Sequence, residues 1–118
     1  MARAANRIPD PPADVLQDVM EALGSSVVAS ILGVHPRTLQ RRRVSTHGPR
    51  TLEVQRAEKL GRIWAELLAL FKKEDAIRWL QIPNPVLANR PPVDVMTDDG
   101  GLDRVLDVIG QLQWGIAS

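Results

Sequence analysis

The sequence predicts an all-α protein with two helical parts. Apolar residues recur at intervals of three and four along most of the chain, and the alternating patterns typical of strands are scarce. Hydrophobic residues make up 44% of the 118 residues but aromatic residues only 3%. The core must therefore be filled by Leu, Val, Ile and Ala, with Trp64, Trp79 and Trp114 as its few large side chains. We expect an N-terminal helix-turn-helix-like bundle followed by a C-terminal helical domain.

The N-terminal part begins with an arm and two predicted helices. Residues 1–12 carry three prolines and no periodic apolar pattern, so they are expected to form a flexible arm. An apolar stripe at helical spacing predicts a first helix over residues 13–23, which Gly24 should end. Ser25 or Ser26 is then expected to cap a second helix over 27–32.

A third helix is predicted from Pro36 to about Arg43, after a tight turn at Gly33. Proline is favoured in the first turn of a helix because its missing N–H is not needed there. An apolar helix, a glycine turn and a polar, basic helix form the layout of a helix-turn-helix, so residues 13–50 are assigned to a DNA-binding domain. The candidate DNA-binding residues are Arg37, Thr38, Gln40, Arg41, Arg42 and Arg43.

The distribution of charge supports two different partners. The net charge is only +1, but residues 1–50 carry +3 and residues 51–118 carry −2. The segment 34–62 is the extreme, with eight basic and two acidic residues. Arginine can bind guanine or phosphate through its planar guanidinium, which favours operator DNA as one partner. The alternative is a solvated basic face on an ordinary helical bundle.

Residues 51–118 are assigned to a second domain. A loop is predicted over 44–50, because it contains Ser, Thr, His, Gly and Pro. A long helix then runs from Thr51 to about Lys72, with an apolar face that could serve as core and as a dimer surface. A short helix over 74–81 follows, and Pro83 stops it because proline disfavours the α conformation in the preceding residue.

The end of the chain is predicted to hold one more helical turn, over 93–96, and a last helix that begins near Gly101. The carboxylates of Asp98 and Asp99 are placed where they could accept the free N–H groups of its first turn. Gly115 is expected to break this helix, so that an apolar tail leaves it.

Composition excludes several classes of function. The chain has no cysteine, which excludes disulfides, thiolate zinc sites and a cysteine nucleophile. His35 and His47 have no neighbouring ligand partners, and His35 is interpreted as a cap of the third helix or a phosphate contact. No nucleophile is paired with a base and no glycine loop for phosphate is present, so we expect no catalytic residues, no metal and no cofactor. No apolar run approaches a membrane span, and a soluble cytoplasmic protein is expected.

The last forty residues resemble the toxin-binding domain of antitoxins in the Xre/MbcA/ParS family. The match rests on an ordered set of motifs, from Trp79 to the C-terminal Ser118. They are the Trp79-Leu80 pair, Pro83-Asn84-Pro85 with Leu87, Arg90 with Pro92 and Asp94, the turn Asp98-Asp99-Gly100-Gly101, and Trp114-Gly115. One departure is Asn89, where the family has Gly before the Arg. Asn tolerates positive φ better than other non-glycine residues, so the turn is expected to survive.

The resemblance implies an antitoxin that covers the active site of a RES-domain toxin, a class of enzyme that consumes NAD⁺. The predicted helix-turn-helix half would let the complex repress its own operon. Each such module offers few phosphate contacts, so a homodimer or a larger toxin–antitoxin assembly is expected. The candidate toxin-binding residues are Trp79, Asn84, Arg90, Asp94, Trp114, Gly115, Ile116, Ala117 and Ser118. Three alternatives stay open. Trp114 could be a lid on the core. The chain could be a stand-alone transcription regulator without a toxin partner, or a protein-interaction module that does not bind operator DNA.

Overall fold

The computed structural model describes residues 13–35, 37 and 52–117, and within them the prediction of an all-α fold is confirmed. Helix α1 spans Ala13–Leu23 and α2 spans Ser25–Leu32. The bounds predicted for α1 are those observed. The predicted arm, most of the third helix and the loop over 44–50 lie outside the described residues.

Four further helices complete the described part of the chain. Helix α3 spans Leu52–Leu70, α4 spans Lys73–Gln81, α5 spans Pro92–Val95 and α6 spans Gly101–Ala117. A single 3-10 turn, Pro85–Leu87, lies between α4 and α5. The long predicted helix therefore ends slightly earlier than expected, because Lys72 is extended and serves as the N-cap of α4.

The cap predicted for α2 is wrong. Neither serine caps the helix: Ser25 is already its first residue, and Gly24 occupies the N-cap position with φ 98° and no side-chain hydrogen bond. Gly24 can take both roles because it ends α1, where its N–H donates to the carbonyl of Met20, and tolerates the positive φ that turns the chain into α2.

One apolar core joins the described helices of both predicted domains. Helices α1 and α2 each pack against α3, and α3 packs against α6 along much of its length. Val19, Ile31 and Ile63 are fully buried in this core. Residues of every helix take part: Leu16, Val28, Leu32, Leu60, Leu67, Leu80, Val95, Val105 and Ile109. The division at residue 50 stays a prediction.

Trp64 fixes α3 to α1 through a polar contact at the edge of the core. Its ring is 2% exposed, and its indole N–H donates to the Asp18 carboxylate at 2.8 Å. The ammonium of Lys73 lies 3.2 Å from the other oxygen of the same carboxylate. The hydrogen bond from Trp64, and then the contact with Lys73, keep the pKa of Asp18 below its usual value although burial opposes this.

Helices α3 and α6 run in the same direction. Arg56 pairs with Asp99 at 3.2 Å, and one turn further Lys59 pairs with Asp103 at 3.0 Å. This register brings the C-terminal end of α6 to the C-terminal end of α3.

Among the described residues, no single helix is long and apolar enough to cross a membrane. The bent pair α1 and α2 meets the criteria of length and composition only when the two are counted together.

Candidate functional site

The segment between α4 and α5 folds into a tight corner around Asn84. The backbone N–H of Asn84 donates to the carbonyl of Arg90 at 3.1 Å, and the carbonyl of Asn84 accepts from Asn89 at 2.9 Å. The Asn84 side chain accepts from the backbone N–H of Val86. Asn89 has φ 62°, so its predicted tolerance of the left-handed conformation is confirmed. Asn84 therefore shapes the corner with its backbone and its side chain.

Arg90 holds the other side of the corner. Its Nη1 donates to Asp98 at 2.6 Å, and its Nε and Nη2 donate to Asp94 at 3.2 and 3.0 Å. These hydrogen bonds raise the pKa of Arg90, Asp98 contributing most, and lower the pKa of Asp98. Arg104 lies 3.7 Å from the same Asp98 carboxylate. The predicted residues Arg90 and Asp94 thus lie together, and their side chains form a salt bridge with each other.

The acidic turn before α6 differs from its predicted role. Asp98 and Asp99 were expected to offer their carboxylates to the first turn of α6. Their carboxylates instead accept from Arg90 and Arg56, and it is the backbone carbonyl of Asp98 that accepts from Gly101 at 3.0 Å. Sequence reasoning did not identify Arg56, because its partner lies 43 residues away and no local pattern marks such a pair.

Trp114 is the most exposed large apolar side chain of the described chain, at 77%. The alternative in which it forms a lid on the core is therefore wrong. By the register of the two parallel helices, Trp114 lies beside the last turn of α3. Trp79, by contrast, is half-buried and packs against the core. Trp114 therefore has more apolar surface available to a partner than Trp79 has.

The expectation that Gly115 ends the last helix is also wrong. Helix α6 continues through Gly115 to Ala117. A glycine costs only about 1 kcal/mol in a helix interior relative to alanine, which is too little to stop a helix whose preceding turns are packed against α3. The chain end is therefore helical up to Ala117. The side chains of Ile116 and Ala117, and all of Ser118, lie outside the described residues.

A groove of about 420 Å³ lies between α3 and α6. Its walls carry mixed charge, with the Arg62–Glu66 pair on α3 and Asp107 on α6. Gly110 lines the groove, and no atom of another element lies within 4 Å of the place where its Cβ would be. The groove ends near Gln113, directly before the exposed Trp114.

Of the candidate DNA-binding residues, the structure describes Arg37 alone, whose side chain is exposed. The others, Thr38, Gln40, Arg41, Arg42 and Arg43, lie outside the described residues. The backbone N–H of Arg37 donates to Nδ1 of His35 at 3.2 Å. This contact agrees with the interpretation of His35 as a helix cap. Within the described ranges, no group of three or more His, Asp or Glu side chains is placed to hold a metal ion.

The chain is similar to known antitoxins in sequence and in fold. Residues 66–115 match the family described as the antitoxin Xre/MbcA/ParS C-terminal toxin-binding domain. The mycobacterial cidal antitoxin MbcA of Mycobacterium tuberculosis and that of Mycobacterium bovis are each 28% identical over 106 residues, which covers 88% of this chain and 93% of the relative.

A solved structure gives the same result for the fold. The M. tuberculosis MbcT–MbcA toxin–antitoxin complex contains a chain with a TM-score of 0.67 and 28% identity, and the match covers 88% of this chain and 95% of that one. The matched segment contains the Asn84 corner, the Arg90 network and Trp114. Residues 66–115 of this chain are therefore similar to the Xre/MbcA/ParS family of C-terminal toxin-binding domains.

Proposed function

We propose that this chain is the antitoxin of a type II toxin–antitoxin system and neutralises a cognate toxin by direct binding. The observation that carries the proposal is the exposed Trp114 at the end of a domain whose family binds toxins. Tryptophan is enriched among the residues that anchor protein interfaces, and a free surface seldom leaves one so exposed. The relative named MbcA occurs in a complex with the toxin MbcT.

The toxin is proposed to be a RES-domain enzyme that degrades NAD⁺ in the cytoplasm, as the family resemblance implies. Inhibition is then steric. The end of α6, from Trp114 to Ser118 with the terminal carboxylate, enters the catalytic cleft and excludes NAD⁺. Because α6 is helical up to Ala117, the cleft has to receive a helix end rather than an extended tail.

The corner residues Asn84, Arg90 and Asp94 are proposed to support toxin binding by holding the binding surface in its shape. Their hydrogen bonds are made within the chain, so they fix how α4, α5 and α6 meet. In this role they are positioning residues. Trp79 is half-buried on α4, and its packing against the core is proposed to support the same binding surface.

A second part of the proposal is that the toxin–antitoxin complex represses its own operon. The basic segment around Arg37 would contact operator DNA, and dimerisation would bring two such segments to neighbouring major grooves. Binding should weaken steeply with salt, because release of counterions drives much of such affinity. The double substitution Arg41→Ala, Arg42→Ala should reduce operator binding in a mobility-shift assay and leave neutralisation intact. Loss of neutralisation by this variant would contradict the division of labour.

The central test of the function is co-expression. The protein encoded by the gene that adjoins this chain's own, called here the adjacent-gene protein, is induced alone or together with the chain. We expect arrested growth and a fall in cellular NAD⁺ when it is induced alone, and recovery of both when the chain is present. A chain that neither rescues growth nor co-purifies with the adjacent-gene protein would instead be a stand-alone regulator.

A further inference from the structure

The loop between α4 and α5, called here the 82–88 loop, exposes five apolar residues. Ile82 is 50% exposed and Val86 is 63% exposed. The exposed apolar residues of the loop are Ile82, Pro83, Pro85, Val86 and Ala88. A quarter of the chain is charged, yet no charged residue lies between Arg78 and Arg90. Exposed apolar side chains that follow one another in this way are typical of interaction sites.

Three backbone N–H groups in and beside the 82–88 loop donate to Asn84. The N–H groups of Leu87 and Asn89 both donate to the carbonyl of Asn84 at 2.9 Å, and that of Val86 donates to the Asn84 side chain. Pro83 and Pro85 have no N–H to satisfy. A partner that covers the loop therefore does not have to remove water from these donors, which limits the cost of desolvation.

The loop is also held in one shape. Ala88 has φ 59°, a conformation that residues with a Cβ rarely adopt, and the surrounding hydrogen bonds keep it there. Leu87, between the exposed Val86 and Ala88, is 5% exposed and anchors the loop in the core. A surface that is already ordered loses little conformational entropy when it binds, so more of its contact energy appears as affinity.

We propose that the 82–88 loop is a second contact surface for the toxin, separate from the end of α6. The inference rests on the proposed function. It commits to the toxin because the loop lies inside residues 66–115, the segment that matches toxin-binding domains. A cleft that accepts NAD⁺ has to bind a charged pyrophosphate. A surface without charge instead fits an apolar patch outside that cleft, so the toxin is held at two chemically different places.

The test is the substitution Val86→Glu, which adds a charge at the more exposed of the loop's two large exposed apolar side chains. Leu52→Glu is the matched control, because Leu52 is 60% exposed and lies outside the matched segment. Affinity for the purified adjacent-gene protein is measured by calorimetry, and folding is checked by circular dichroism. We expect Val86→Glu to weaken binding about tenfold or more and Leu52→Glu to leave it unchanged. Ile82→Glu is a second variant that should act in the same direction.

The outcomes separate this inference from the proposed function. If the natural chain does not bind the adjacent-gene protein, the proposed function fails. If the natural chain binds and the folded Val86→Glu and Ile82→Glu variants bind equally well, the second contact surface is refuted while the antitoxin function stands. If these variants change the mass of the free chain in light scattering but not its affinity for the adjacent-gene protein, the loop binds a second copy of the chain and the inference is overturned.

Discussion

Gly101 has a tighter steric requirement than Gly100, Gly110 or Gly115. A Cβ at this position would overlap the carbonyl oxygen of Val95, since the first residue of α6 lies directly against the end of α5. Both partners are backbone at this contact, so neither can move aside as a flexible side chain would. Glycine is therefore needed where the corner joins the last helix.

Two glycine-to-alanine substitutions in α6 should have opposite effects. Gly101→Ala should lower the free energy of unfolding by about 3 kcal/mol, because the added methyl group overlaps Val95. Gly110→Ala should raise it by about 0.5–1 kcal/mol, because the site is open and alanine favours the helix. Urea unfolding of both variants checks this. Equal changes in the two would show that close approach at Gly101 is not the cause.

Asp18 should make stability depend on acid pH. Its folded-state pKa is lowered, chiefly by the hydrogen bond from Trp64, so its contribution is fully present above the unfolded-state value and is lost as pH falls through the folded-state value. Asp18→Asn should cost about 1 kcal/mol at pH 6, a modest figure because the side chain is 38% exposed. The difference between the natural chain and Asp18→Asn should shrink towards pH 3. A difference that stays constant over this range would rule out the titration of Asp18 as its source.

At the scale of elements, the helices could be predicted from the spacing of apolar residues and from the glycine and proline residues at helix ends. Helix α1 follows its apolar stripe, and α4 ends next to Pro83 as expected. The end of α6 could not be predicted, because glycine weakens a helix without stopping it and packing on α3 decides the outcome. The prediction that Ser25 or Ser26 caps α2 was wrong for a related reason. Gly24 adopts the positive φ of the turn between α1 and α2 and occupies the N-cap position itself.

The candidate site was predictable only in part. The motif residues Asn84, Arg90 and Asp94 were identified from their order in the sequence, and they do meet in one corner. The sequence does not show that these residues form hydrogen bonds within the corner, because those bonds depend on the geometry of the turn. The 82–88 loop was not identified either, since exposure of Val86 depends on Leu87 taking the buried position.

The Arg90 network gives a prediction for the corner as an element. Arg90→Ala and Arg90→Lys should both let the pKa of Asp98 rise towards its ordinary value, since the bidentate contact is the main cause that lowers it and lysine lacks the fork. Arg104→Ala is the control and should have a smaller effect, because Arg104 is 3.7 Å away. Carboxyl-carbon NMR titration of Asp98 measures this. If Arg104→Ala shifts the pKa more than Arg90→Ala does, Arg104 is the principal partner.

At the scale of the whole molecule, a basic N-terminal part and an acidic C-terminal part of the chain share one core. Helix α3 connects them, since it contacts α1 and α2 on one side and α6 on the other. Arg56 lies between them: its Nη1 lies 2.7 Å from the place where a Cβ on Gly33 would lie, and its Nη2 pairs with Asp99. Substitutions of the buried residues of α3 should consequently disturb both proposed activities, whereas changes at the end of α6 should affect toxin inhibition alone.

The most direct test of this account is inhibition of the adjacent-gene protein by a chain that ends at Gln113. Removal of residues 114–118 leaves the buried Val105 and Ile109 of α6 in place, so the circular dichroism spectrum and operator binding should be retained. We predict that the full chain inhibits NAD⁺ consumption competitively with NAD⁺ and that the shortened chain does not. Full inhibition by the folded, shortened chain would contradict the claim that the end of α6 closes the catalytic cleft.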